Sequence, residues 1–298
     1  MRFLKLASAV ALASILSSTP TVAQESATLK KIKDTASITL GHRESSIPFS
    51  YYDDKQQVIG YSHELMLKVV EDIKINLKLA KLDVKLMPVT SANRITLIQN
   101  GTVDIECGST TNNQDRQKQV SFSSTIFVIG TRLMTRMNSG IKDFADLSGK
   151  NVVTTAGTTS ERLLRKMNEE KQMKMSIISA KDHGESFLTL ETGRASAFMM
   201  DDALLFGEMA KAKKPGDWII TGTAQSKEAY GCMLRKDDPD FKKMVDASLN
   251  KAMSSGLAER IYQKWFMNPI PPKGLNLNMP ISDEMKAAYK APNDKAFE

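Results

Sequence analysis

Cysteine is nearly missing from this chain, with two in 298 residues, Cys107 and Cys232. So few thiols exclude a cysteine-built metal cluster and a small scaffold held mainly by disulfides. Histidine is equally scarce, at three, and the histidines and cysteines show no metal-ligand spacing, so neither a metal site nor a cofactor is expected. Past the first two dozen residues no run approaches the roughly 20 apolar residues that span a bilayer. Charge of one sign is also missing. Lys and Arg total 41 against 34 for Asp and Glu, a net +7, but they are mixed in stretches such as KDFADLSGK and LRKMNEEKQMK. A nucleic-acid surface presents a basic stripe interleaved with aromatics. Aromatics make up only 6% of this sequence, so nucleic acid is not an expected partner.

What is present begins with a leader. Arg2 and Lys5 form a positive start, Leu6 to Leu16 an apolar stretch, and Thr21-Val22-Ala23 a small-residue cleavage site. Residues 1–23 read as a signal peptide, the mature chain is expected to begin at Gln24, and losing Arg2 and Lys5 lowers the charge from +7 to +5. No cysteine stands near the cleavage site to carry a lipid. The chain is therefore expected to be exported and soluble. In that compartment two cysteines are by default oxidised to each other, two buried free thiols being the alternative.

The remaining length suits two packed lobes, and an apolar share of 41% with 25% charged residues is ordinary for a globular protein. After a polar lead, Ile38–Leu40 alternates as a strand ending at Gly41-His42-Arg43. Residues 62–76 carry Leu65, Met66, Val69, Val70 and Ile73 at helical spacing. Val84 and Leu86 mark a second strand, a short helix runs from Ser91 to Gly101, and Thr102 to Cys107 forms a third strand. Residues 121–136 are extended and β-branched. The rhythm then restarts with strands at 150–155, 176–179 and 195–200, each followed by a helix, and a short strand at 218–220. A second extended segment at 228–235 leads to helices at 239–254 and 257–266. This α/β pattern implies mainly parallel sheets flanked by helices, with a second lobe inserted into a discontinuous first one. The expected division is 24–130 and 228–280 for lobe 1, 131–227 for lobe 2, and 281–298 for a tail wrapping the surface. A cleft between lobes, lined by loops at strand ends, is where such folds bind ligands.

One stretch already reads as part of a site. PVTSANRITLIQNGTVDIECGSTTNNQDR, from Pro88 to Arg116, places Arg94 and Arg116 among short neutral polar residues. Ser91 is expected to cap the helix, putting Arg94 on its first turn beside free N–H groups. A guanidinium there, opposing the helix dipole, favours a small anion between them. Asp201 and Asp202 sit together at a strand-to-helix switch, so one can cap while the other faces the cleft. The methionines, 17 in all, read as core filler.

Taken together, GHRESSIPFSYYD, VTSANRI, GTVDIECGSTTNNQDRQKQVSFS, GTTSE, AKDHGESF, GRASAFMMDDALL and EAYGCMLRKDDP resemble the periplasmic glutamate/aspartate-binding components of polar amino-acid ABC importers. The resemblance covers nearly the whole chain after the leader. It implies the two-lobed, hinge-closing solute-binding fold of type II, a monomer, L-glutamate or L-aspartate as ligand, and a membrane ABC permease as partner. It also implies roles. Asp201 would accept the ligand ammonium. Arg116, with the hydroxyls or N–H groups of Ser109 and Thr111, would hold the α-carboxylate. Thr159 would add donors from the second lobe. Arg43, Ser91, Arg94 and His183 would surround the side-chain carboxylate. One departure from broader amino-acid receptors is the five-residue spacing of Thr111 and Arg116, which tends to carry Arg116 outward.

Two rival readings use the same architecture. An exported dehydratase would need a general acid or base in the cleft. The available groups, His183, Asp201 and Glu161, each already have a binding or capping role. A sensory input domain would normally continue into a transmembrane helix, so here it could act only by docking to a separate receptor.

Overall fold

The computed structural model describes residues 26–274 and 276–297, so the leader and the expected start at Gln24 lie outside the described residues. Two five-stranded sheets organise the chain. The first runs in the order Asp83–Pro88, Ser37–His42, Ile105–Glu106, Met233–Leu234, Ser121–Phe122. The second runs Ser176–Ala180, Asn151–Thr155, Ala197–Asp201, Thr131–Arg136, Trp218–Thr221. In each sheet the strands joined by βα units pair in parallel. The other half of each sheet is antiparallel. Those antiparallel strands flank the places where the chain leaves one sheet for the other, so they arrive without a crossover helix to reverse them.

The crossings themselves form a third, small sheet. Phe127–Ile129 and Glu228–Tyr230 lie side by side, antiparallel, with Glu228 opposite Ile129 and Tyr230 opposite Phe127. Thr111–Asn112 pairs on the outer side of Glu228–Tyr230. The extended run at 121–136 is therefore three strands, with breaks at Ser123–Ile126 and Gly130.

Helix Tyr61–Asn76 forms as its pattern predicts, with Leu65, Met66, Val69, Val70 and Ile73 all buried. It packs against helices Pro239–Ser254 and Leu257–Phe266. Phe127 stacks on Phe266 at 4.8 Å between ring centroids and on Tyr262 at 5.8 Å, which anchors one crossing strand to the first sheet's helices. Among the described residues ten methionines lie in the core, Met66, Met134 and Met199 included.

Two helices of eight residues or more stand where none is expected from the sequence. The polar lead folds as Ala27–Thr35, capped by the Ser26 hydroxyl accepting from the Leu29 N–H at 3.1 Å. In the tail, Asp283–Lys290 is a helix capped by Ser282, with Met285 buried and the Tyr289 hydroxyl 2.6 Å from that of Tyr61. The Pro- and Asn-rich composition of the tail hides this, because the eight residues DEMKAAYK contain neither.

Cys107 and Cys232 form a disulfide, both fully buried, 125 residues apart in sequence. The bond ties the end of strand Ile105–Glu106 to the returning crossing, so both crossings lie inside the closed loop. A loop of that length restricts the unfolded chain strongly. Replacing both cysteines by alanine is expected to cost about 2–5 kcal/mol of stability, read as a drop in melting temperature. An unchanged melting temperature would show the bond contributes nothing.

Candidate functional site

The Pro88–Arg116 stretch turns its arginines inward. Thr90 and Asn93 lock each other, the Thr90 hydroxyl accepting from the Asn93 N–H at 3.2 Å and Asn93 Oδ1 from the Thr90 N–H at 2.8 Å. Thr90 thus does the capping expected of Ser91. Ser91 is left uncommitted, its buried hydroxyl having no partner among the described residues. Arg94 opens helix Arg94–Gln99 and is 1% exposed. Its Nη1 donates to the Ser109 carbonyl at 3.0 Å and to the Thr110 hydroxyl, which donates to Glu106 Oε2 at 2.7 Å.

Arg116 lies in the short helix Gln114–Gln117, which Asn113 caps by accepting from the Arg116 N–H at 2.9 Å. The longer loop bends the side chain back instead of outward. Nη1 donates to the Thr111 carbonyl at 2.9 Å, and Nη2 reaches across to the Gly157 carbonyl at 3.2 Å. Arg43, just past strand Ser37–His42, donates from Nη1 to the Ser109 hydroxyl at 3.4 Å.

All three guanidinium groups are buried, yet none belongs to an ion pair among the described residues. Their acidity records the cost. Burial, then repulsion from Arg94, pulls Arg43 down to about 10 and Arg116 down to about 9. Burial lowers Arg94 as well, opposed first by Glu106. Burying a charge is expensive unless it is met by an opposite one. A small anion among these side chains would supply that partner.

The second sheet brings the remaining groups. Thr158 caps helix Thr159–Glu170, leaving Thr159 at its first position. His183 begins helix His183–Glu191, capped by Asp182, and is 1% exposed. Its Nδ1 lies 2.8 Å from the Thr155 hydroxyl, while Nε2 has no partner among the described residues. Burial first, then Arg43, Arg94 and Lys211, hold its pKa well below the usual 6.5, so the ring is neutral near pH 7. Where Thr155 donates to Nδ1 rather than to the neighbouring Ser186 hydroxyl, the ring proton sits on Nε2 as a free donor.

Asp201 and Asp202 go to different partners, and Asp201, at the N-cap position, makes no side-chain cap bond. Asp202 takes the Ala203 N–H at 2.7 Å at the helix start. Asp201 turns inward and accepts from Thr131 and Ser160 at 3.1 Å each and from the Tyr230 hydroxyl. Burial, then the neighbouring Glu228, raise Asp201 up to about 7, against the pull of those hydrogen bonds.

The halves meet around this constellation. Besides the Arg116–Gly157 bond, the Gly184 N–H donates to the Ser45 hydroxyl at 3.4 Å. Gly157 has φ +76°, and a Cβ there would stand 2.6 Å from the Ala92 backbone, so the loop before Thr159 approaches as closely as glycine permits. Five residues that reading the sequence missed complete the lining: Glu106, Thr110, Ser160, Glu228 and Tyr230. Glu106 is hidden because it alternates within a strand buried on both sides, and Glu228 because nothing local separates it from a surface acid. Among the described residues no group of three or more His, Cys, Asp or Glu is arranged to hold a metal ion. No described helix is long and apolar enough to cross a membrane.

The chain is 63% identical over 290 residues to the "L-glutamate/L-aspartate-binding protein" of Pseudomonas aeruginosa, covering 97% of this chain and 96% of that one. It is 64% identical over 270 residues to the "Glutamate/aspartate import solute-binding protein" of Salmonella typhimurium, covering 91% and 89%. Among solved structures, a mutant of ArgBP from T. maritima superposes with a TM-score of 0.71 at 24% identity, covering 80% of this chain and 98% of that one. That likeness concerns the fold alone, and it is the two-lobed type II solute-binding architecture. The model of the family "Bacterial extracellular solute-binding proteins, family 3" matches residues 38–268, and the chain belongs to that family.

Proposed function

We propose that this chain is a periplasmic receptor that holds L-glutamate or L-aspartate between its lobes and passes it to an ABC permease. One observation carries the reading: three buried arginines with no acidic ion-pair partner among the described residues stand with the inward-turned Asp201. Two carboxylates and one ammonium match that set. The names of the relatives at 63–64% identity support the same ligands and an import system.

In this reading the lobes are 24–130 with 228–280, and the inserted 131–227. Asp201 meets the ammonium. Arg116, Ser109 and the Thr111 segment serve the α-carboxylate, with Thr159 completing the site from the second lobe. Arg43, Ser91, Arg94 and the Nε2–H of His183 serve the side-chain carboxylate. A ligand touching both lobes binds the closed form better and shifts the population toward it. The protein acts by binding, as a monomer, and carries out no reaction.

Ligand stabilises whatever form binds it. L-glutamate at about a thousand times its Kd is expected to stabilise the fold by roughly 4 kcal/mol, visible as a large rise in melting temperature. A panel of the amino acids and several dicarboxylates checks this. No shift with either glutamate or aspartate would sink the proposal.

A further inference from the structure

We propose that Glu228 makes the site select for an amine: it takes the hydroxyl protons of Thr111 and Thr159, so both oxygens face a ligand with lone pairs only. The inference rests on the receptor reading above and adds a residue to it. Glu228 sits on the returning crossing strand Glu228–Tyr230, opposite Ile129 of the other crossing. Its Oε2 accepts from the Thr111 hydroxyl at 2.5 Å and from the Thr159 hydroxyl at 2.8 Å. Oε1 accepts from Ser226 at 3.0 Å.

An ionised carboxylate only accepts, and a hydroxyl has one proton to give. Once that proton is committed, a threonine oxygen can only accept, and a ligand carboxylate cannot use it. An ammonium can. The two threonine oxygens are 3.5 Å apart, one from the Thr111–Asn112 strand and one from helix Thr159–Glu170, so a single cation can address both. The same logic holds next door. Thr131, Ser160 and Tyr230 commit their protons to Asp201. Six hydroxyls are thus turned by two acids, and the acids are close enough that Glu228 raises the proton affinity of Asp201. The carboxylate ends of the ligand fall to the arginines. Thr111 and Thr159 therefore belong to the amine, and any help they give the α-carboxylate comes from backbone N–H groups.

The test compares L-glutamate with glutarate, which keeps both carboxylates and lacks the amine. Kd values are taken from calorimetry or from ligand-dependent melting shifts. Thr111→Val and Thr159→Val keep the shape and remove the oxygen. Each is expected to weaken glutamate by at least about tenfold, the worth of a hydrogen bond to a charged group, while leaving glutarate within roughly twofold on the same argument. Glu228→Ala, which releases both protons toward the ligand, is expected to weaken glutamate and strengthen glutarate. If the valine variants weaken both ligands by the same factor, the hydroxyls serve a carboxylate and the inference falls while the receptor reading stands. If the unaltered protein ignores glutamate, the receptor reading falls and takes this inference with it.

Discussion

Arg94→Ala is expected to abolish most binding of acidic ligands while leaving the amides comparatively untouched. Arg94 is as enclosed as Arg43, at 1% exposure, and its Nε has no partner among the described residues. Its Nη1 is fixed by the Ser109 carbonyl and by Thr110, and Thr110 is fixed in turn by Glu106. The guanidinium is therefore positioned before ligand arrives, and its unused face carries the attraction. Removing one partner of a buried, hydrogen-bonded charge pair costs about 2–5 kcal/mol, on the order of 30-fold to a few thousand-fold in Kd. Glutamine and asparagine present a neutral amide where the side-chain carboxylate would lie, so they lose far less. Calorimetry with glutamate, aspartate, glutamine and asparagine decides the matter. Equal losses across all four would mean that Arg94 does not face the ligand side chain.

The second large effect concerns acidity. Asp201 stands at about 7 in the ligand-free protein, well above its ordinary 3.8, because burial and then Glu228 disfavour its charge. An ammonium must meet the ionised form. At pH 8 the carboxylate is already charged. Below about 7 it carries a proton that binding has to expel, so Kd for glutamate is expected to rise roughly tenfold per pH unit on the acid side. His183 adds no opposing charge near neutral pH, since burial, then Arg43, Arg94 and Lys211, hold its pKa well below 6.5. Glutamate's own side chain is ionised until about pH 4, so the slope between pH 7 and 5 belongs to the protein. Asp201→Asn is expected to flatten that slope and weaken binding at every pH. A wild-type Kd constant from pH 8 to 5.5 would refute the assignment.

In the ligand-free protein the same shift has the opposite consequence. A carboxyl whose folded pKa is raised holds its proton better folded than unfolded. Its contribution to stability is present at low pH and is lost as pH climbs from about 4 toward 7. A ligand ammonium beside Asp201 would reverse this by favouring the ionised carboxylate.

How much of this could be read from residues alone varies with range. Helix Tyr61–Asn76 follows from Leu65, Met66, Val69, Val70 and Ile73, and helices Pro239–Ser254 and Leu257–Phe266 match their expected bounds. Each is announced by periodicity and by caps a few residues away. The helix Ala27–Thr35 is not, because its polar face dominates and only Thr28 and Ile32 are buried. The Ser91 cap misses by one residue because three neighbouring polar side chains compete for the same N–H groups, and the reciprocal Thr90–Asn93 pair wins.

The site divides in the same way. Local chemistry marks Arg94, Arg116, Asp201 and the cysteine pair as unusual, since cations at a helix start and adjacent acids at a strand end have few bland explanations. That limit is physical: side-chain periodicity and capping act within a few residues, whereas the partner of a buried charge is chosen by packing. Only the tertiary structure sets Arg116 against Gly157, 41 residues away, and leaves Arg43 and Arg94 with no ion-pair partner among the described residues, beside a His183 neutral near pH 7. It also gives the Thr111 and Thr159 protons to Glu228, which is 117 residues from one and 69 from the other. The sequence by itself settled which kinds of charge this protein buries; the fold decided which of them were left free for a ligand, because only packing can deny a buried charge its internal partner.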